Sequence, residues 1–186
     1  MNIRPNLRMS KAAFIESSAA GEERCELVAG RVVMMPRPSL AHGMIVMNLA
    51  FLLRNRLDPK QWVVVAVFGL DAGPETLRYP DIVVDRAGGA GKSYTASAPV
   101  LLAEVLSPSS VEIDLGDKAA EYLQIPSLLA YIVLSLDEPK AWMYARAGAQ
   151  FTPGPAVIGG TEAIIRIAAL QLELPMADIY AGIKTG

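Results

Sequence analysis

Hydrophobic positions change their spacing several times along this chain, and each change predicts an element. Ser10 can cap a short helix running to about Ser18, with Phe14 and Ile15 on its buried side. Glu26-Leu27-Val28 and the run from Arg31 to Met35 flank Ala29-Gly30, a two-residue connection that predicts a β-hairpin. Pro36 and Pro38 end the second strand, because proline cannot donate to a ladder. Ser39 then caps a longer helix to about Leu57. Along it Ile45, Leu49, Leu52, Leu53 and Arg56 recur near helical spacing, while Arg54 and Lys60 belong in solvent.

Residues 62–68 are apolar and β-branched, hence a strand. Gly69 to Pro74 carries turn chemistry, residues 77–85 predict a further strand, and Gly88 to Gly91 a flexible tip. Residues 100–106 form the clearest strand, stopped by Ser107-Pro108-Ser109-Ser110. A helix over about residues 112–124 follows, then strands near 129–136 and 141–145. Pro153, Gly154, Pro155, Gly159 and Gly160 mark a loop-rich final third, with one strand near 163–167 and a short helix after Pro175. No internal repeat or break in composition is visible. The expectation is a single α/β (α+β) domain over residues 1–186, with a central mixed sheet flanked by helices, an N-terminal hairpin and a lead-in over residues 1–9 free to be flexible.

Composition narrows this picture. Hydrophobic residues make up 52% of the chain and charged ones 19%, which excludes disorder and fits a well-buried fold. The formal net charge of -2 gives no bulk attraction to nucleic acid, although basic residues can still gather on one face. Cys25 is the only cysteine, so there is no disulfide framework or thiolate site, and the single histidine, His42, excludes a multi-histidine zinc site. No apolar core follows the polar segment from Met1 to Lys11, and no apolar stretch approaches bilayer length. A soluble, cytoplasmic protein without membrane contact is expected.

The candidate chemistry lies in two apolar runs that each carry one carboxylate. One reads Arg78-Tyr79-Pro80-Asp81-Ile82-Val83-Val84, the other Leu101-Leu102-Ala103-Glu104-Val105-Leu106. An isolated Pro-Asp is ordinarily a turn or strand-start aspartate. Glu104 is harder to dismiss. Alternation puts it on one face with Leu102 and Leu106, with Ala103 and Val105 on the other, so the strand is apolar on both faces and central. An ionised acid there needs a cation, a metal or hydrogen bonds, and a buried ion pair with an arginine is the ordinary alternative to a functional site. Lys118 shares a helical face with Leu115, Ala119 and Tyr122, which aims it along the buried stripe. Asp114, four residues earlier, equally allows a surface ion pair.

With these residues in hand, the chain resembles the Uma-two family of putative restriction endonucleases, in the PD-(D/E)XK nuclease superfamily. The resemblance runs through Glu26-Leu27-Val28-Ala29-Gly30, Pro36-Arg37-Pro38-Ser39 and His42, then Pro80-Asp81-Ile82-Val83-Val84. It continues through Glu104-Val105-Leu106-Ser107-Pro108-Ser109-Ser110, Asp114, Lys118 and Tyr122, and closes at Leu172-Glu173-Leu174-Pro175 and Ile179-Tyr180. It implies a restriction-endonuclease-like fold in which Asp81, Glu104 and Lys118 are catalytic. Asp81, Glu104 and the carbonyl of Val105 would hold Mg²⁺, with Mn²⁺ a possible substitute, for hydrolysis of DNA by a homodimer. Most of the superfamily carries the lysine two positions beyond the second acid. Leu106 stands there in this chain, so the lysine's role passes to Lys118 on the following helix. Glu26 matches a family glutamate that either joins the site or is solvated, and Cys25 replaces a usual aromatic as a packing change. His42 matches a recurrent histidine, and its position near a helix start favours an ordinary polar role over contact with phosphate. The alternatives to a nuclease are a catalytically silent scaffold that binds nucleic acid or protein, and a structural dimerisation protein.

Overall fold

The computed structural model describes residues 3–18, 24–106 and 113–183, so the predicted Ser107 to Ser110 stop and the start of the following helix lie outside the described residues. The first strand, β1 (Ile3–Arg8), occupies the N-terminal lead-in and precedes α1 (Lys11–Ser18), where the Ala13 N–H donates to Ser10 Oγ at 3.2 Å. β2 (Cys25–Val28) and β3 (Arg31–Met34) form the expected hairpin. Ala29 and Gly30 at its tip have φ of 47° and 73°, the left-handed pair that matches the twist of a two-residue hairpin. α2 (Leu40–Arg56) starts at Ser39, whose side chain accepts from the His42 N–H. Its buried stripe is Ile45, Val46, Leu49, Leu52 and Leu53. Arg56 lies outside that stripe, exposed and 3.6 Å from Asp178, because an arginine head stays in water.

The next strands are β4 (Trp62–Ala66), β5 (Leu70–Gly73), β6 (Thr76–Arg78), β7 (Ile82–Arg86) and β8 (Leu101–Val105). Two expectations change here. The segment after Gly69, read as a turn, is mostly the strand β5, because Leu70 is buried and pairs with Arg78. The run 77–85, read as one strand, breaks at Tyr79-Pro80-Asp81 and serves two sheets. Pro80 has no N–H for a ladder, and the chain crosses between the sheets at that point.

A π-helical turn (Ile113–Asp117) opens directly into α3 (Lys118–Tyr122). β9 (Ala130–Leu134) and β10 (Lys140–Ala147) follow as predicted. The final third holds more strand than its glycines and prolines suggest. It contains β11 (Gln150–Phe151), β12 (Ala156–Gly159), β13 (Ile164–Ile167) and β14 (Leu172–Pro175), then α4 (Met176–Ile179).

The central sheet runs β11-β10-β9-β8-β7-β4, with β12 also paired to β10. It is mixed: β8 and β9 are parallel and the other pairs antiparallel. A second, antiparallel sheet runs β1-β3-β2-β6-β5, and β13 pairs with β14. Alternation along β8 divides the core as predicted. Ala103 and Val105 join Ile45, Leu49 and Leu53 of α2 in one cluster, while Leu102 and Leu106 join Ala119 and Tyr122 of α3 in another. Each fully buried leucine or isoleucine stabilises by roughly 1.5–3 kcal/mol, so these two faces hold the sheet between its helices. No helix among the described residues is long and apolar enough to cross a membrane.

Candidate active site

Strand register decides where the two acids meet. Ile82 of β7 pairs with Ala103 of β8, so one position earlier Asp81 falls opposite Glu104. Both side chains then belong to the face that carries Val83, Leu102 and α3. Asp81 Oδ2 accepts from the Val105 N–H at 2.9 Å, which ties the carboxylate to the end of β8. Its own carbonyl accepts from the Val67 N–H at 3.2 Å. Val67 has φ 51°, a left-handed conformation that a β-branched residue holds at a cost on the order of 1–3 kcal/mol, so strain is stored beside the aspartate.

Glu104, 3% exposed, is met from α3 by two donors on one oxygen. Lys118 Nζ lies 2.8 Å and Tyr122 Oη 3.0 Å from Glu104 Oε1. The same ammonium is 3.1 Å from Asp114 Oδ1 and 3.8 Å from Glu26 Oε1. The surface pairing of Asp114 with Lys118 weighed from spacing is thus a buried one, and the buried partner of Glu104 is a lysine, not an arginine. Asp114 Oδ1 is close to Lys118 but lacks hydrogen-bond geometry to it, which leaves a buried carboxylate oxygen without a donor. The turn carrying these residues is pinned to the sheet by tyrosines. Tyr131 of β9 donates to the Asp114 carbonyl at 2.9 Å and Tyr144 of β10 to the Leu115 carbonyl at 3.2 Å.

Glu26 is buried, not solvated. Its Oε1 accepts from the Tyr79 N–H at 3.0 Å and its Oε2 from Arg78 Nη1 at 3.0 Å. Arg78, 2% exposed, also makes a two-pronged contact with Glu121 at 2.8 Å through Nε and Nη2. Sequence pattern alone assigns neither Arg78 nor Glu121 a role. The available signal was a cation inside Thr76-Leu77-Arg78, where its neighbours are buried strand residues. His42 takes a larger part than an ordinary helix-start residue, with Nε2 3.1 Å from Asp81 Oδ2.

Charge governs how these groups titrate. Burial disfavours the Lys118 ammonium, but Glu104, Glu26 and Asp114 outweigh that and hold it firmly cationic. Burial pushes Glu104 up, Lys118 pulls it down, and Asp81, Asp114 and Glu26 push it up again, to about 8. A proton therefore sits on Glu104 more readily than on an ordinary carboxyl. In metal-free protein the folded state keeps this proton above the ordinary value of 4.5, where the unfolded chain has lost it. Stability from this group is thus full at low pH and falls as pH rises toward about 8. Melting temperatures in EDTA at pH 5.5 and 8.5 are expected to show a downward slope of several degrees that Glu104→Gln removes. An equal slope in that variant would assign the effect elsewhere.

Asp81, Glu104, Val105, Asp114 and Lys118 all line one cleft of about 210 Å³ beside the N-terminal end of α2. The donors present are carboxylates and a carbonyl, which suit a hard divalent cation. Among the described residues no group of three or more His, Cys, Asp or Glu side chains is gathered so as to hold a metal. Magnesium, however, is usually held by one or two carboxylates, waters and substrate phosphates instead of a protein cage. Asp81 and Glu104 use Oδ2 and Oε1 in their described contacts, and the undonated Asp114 oxygen lies in the same cleft. The residues fit such an ion.

Comparison with known proteins agrees with this architecture. The profile of the Uma2 (Uma-two) family, described as "Putative restriction endonuclease", matches residues 12–177. This chain belongs to the Uma2 family. An uncharacterized protein of Synechocystis, sll1609, is 25% identical over 134 residues, covering 68% of this chain and 74% of its own. A crystal structure from Anabaena variabilis, described as a putative nuclease belonging to DUF820, superposes with a TM-score of 0.72 at 17% identity. The match covers 87% of this chain and 92% of that one. At that identity the likeness establishes the fold, a mixed-sheet α+β arrangement with no closed barrel.

Proposed function

We propose that this Uma2 protein is a divalent-metal-dependent endonuclease that hydrolyses DNA phosphodiester bonds in the Asp81–Glu104–Lys118 cleft. The observation that carries the reading is an excess of buried acid: Lys118 faces Glu104, Asp114 and Glu26, while Asp81, across from Glu104, has His42 beside it at the same open cleft. Such a site favours a further cation over vacancy, because like carboxylates in low dielectric repel. Asp81 and Glu104, with the Val105 carbonyl, would hold Mg²⁺ or Mn²⁺. When bound, the ion lowers the pKa of a water and offsets charge on the phosphate.

The chain's own residues supply the rest. The Val105 N–H and His42 orient Asp81. Tyr122 and Lys118 orient Glu104. Lys118, kept cationic, is a compact donor for charge that develops on the phosphoryl oxygens. Asp114 and Glu26 keep that ammonium at the mouth of the strand pair instead of letting it swing to solvent. The proposal includes a homodimer, by analogy with nucleases that cut both strands, and a cytoplasmic location.

A second reading treats the cluster as a structural ion network on a silent scaffold. It is favoured by the donors that Glu104 and Asp81 already have without a metal. Plasmid DNA separates the two. The expected result is nicking in Mg²⁺ or Mn²⁺ by wild type, none in EDTA and none by Asp81→Asn. That variant should melt within ~2 °C of wild type or slightly higher, since an amide oxygen can still accept from the Val105 N–H and a negative charge is gone. Undiminished nicking by Asp81→Asn would remove this site from the reaction. Salt-dependent DNA binding without nicking in either metal would select the scaffold.

A further inference from the structure

Two arginines at the cleft contrast with the carboxylates at its base. Arg24 and Arg37 both line it, yet neither pairs with a carboxylate among the described residues. Their placement follows from the hairpin of β2 and β3. The ladder continues past the strands through the Met35 N–H, which donates to the Arg24 carbonyl at 2.8 Å. Arg24 thus precedes one strand and Arg37 follows the other, at the same open end. Arg37 is exposed and Arg24 half-buried, whereas Asp81, Glu104, Asp114 and Lys118 are buried. The cleft is therefore acidic at depth and cationic at its rim.

That polarity has a chemical meaning. Guanidinium groups beside buried carboxylates would be expected to fold onto them if the site served only to be neutralised. Here Lys118 takes Glu104 and Asp114, His42 lies beside Asp81, and the arginines stay at the rim. A polyanion fits this layout when one phosphate enters the depth and its neighbours along the strand remain at the edge. Arginine is suited to those outer phosphates because its planar fork donates two parallel hydrogen bonds to phosphate oxygens.

We infer that Arg24 and Arg37 form a phosphate clamp that grips the DNA backbone beside the bond held in the cleft. This inference rests on the nuclease reading and adds the residues that bind substrate without performing chemistry. Because phosphate contacts carry no base information, the clamp sets affinity and register but not sequence preference. It also accounts for how a chain of net charge -2 can bind DNA, through a local cationic rim.

The test measures binding of a fluorescent 20-base-pair duplex in Ca²⁺, over a range of salt concentrations. Wild-type affinity should fall with salt, and each of Arg24→Ala and Arg37→Ala should reduce the slope of log K against log salt by about 0.9. Arg24→Lys and Arg37→Lys should keep the slope, while Arg54→Ala, an exposed cation on α2, should leave it unchanged. Unchanged melting curves would show that the variants are folded. If wild type binds DNA and the slope survives both alanine variants, the clamp is wrong and the nuclease reading stands. If wild type fails to bind at low salt while Mn²⁺ still raises its melting temperature, the clamp and DNA as substrate both fall, leaving only the metal site.

Discussion

Arg78→Met should lower the melting temperature by roughly 10 °C, the largest stability effect expected of any single substitution at this site. Removing one partner of a buried ion pair costs about 3–5 kcal/mol, and each kcal/mol is worth about 2–4 °C in a chain of this size. Arg78 has two carboxylate partners. Glu26 is as buried as the arginine itself, and Glu121 holds its other edge at 2.8 Å. Methionine fills much of the volume but leaves Glu26, among the described residues, with only the Tyr79 N–H and a lysine 3.8 Å away. Burial alone would lower the pKa of this guanidinium, and the two glutamates more than reverse that, so the pairing outweighs the desolvation. Adding Glu26→Gln to Arg78→Met should recover part of the loss, because no bare charge then remains inside. A melting temperature within ~2 °C of wild type for Arg78→Met alone would mean that Glu26 is not buried as described.

The largest effect on activity is expected at Lys118. Lys118→Met should reduce DNA cleavage by about 10²–10³-fold, the typical cost of losing one donor to charge that develops during the reaction. Metal uptake should respond in the opposite way. The ammonium sits 2.8 Å from Glu104 and competes with any cation there, so Mn²⁺ binding measured by calorimetry should be retained or tightened. Loss of cleavage together with loss of metal binding would mean that the lysine serves only to hold the acids in place. Equal nicking by wild type and variant would identify a contaminating nuclease and defeat the mechanism. Part of the stability lost with the ammonium is returned when Glu104 takes up a proton, since its pKa already lies near 8 with the lysine present. Assays therefore belong well below the variant's melting temperature.

The contrast between these two cations shows how far local pattern reaches. Lys118 was legible because Leu115, Ala119 and Tyr122 share its helical face, and the resemblance to Uma2 proteins supplied a reason for a lysine there. Arg78 stood in the quoted run before Asp81 and drew no role. Its partners, Glu26 and Glu121, lie 52 and 43 positions away in sequence. His42 was likewise visible as a residue near a helix start, but its distance from Asp81 depends on how α2 packs against the end of the central sheet. Gly69 to Pro74 carries turn residues, yet most of the segment is strand. Leu70 gains more from burial and pairing with β6 than its neighbours gain from a turn.

Taken alone, the order of residues determined which faces of the main strands are buried, where the hairpin and the long helix begin, and which side chains could carry chemistry. Those features are set by side-chain period, by proline's missing donor and by capping hydroxyls, all of which act within a few residues. Only the tertiary structure decided that Asp81 sits across from Glu104, that Lys118 answers three carboxylates and that Arg24 and Arg37 line the same cleft. Such meetings depend on strand register and helix packing. Any side chain of matching charge could satisfy them, so sequence spacing does not encode them.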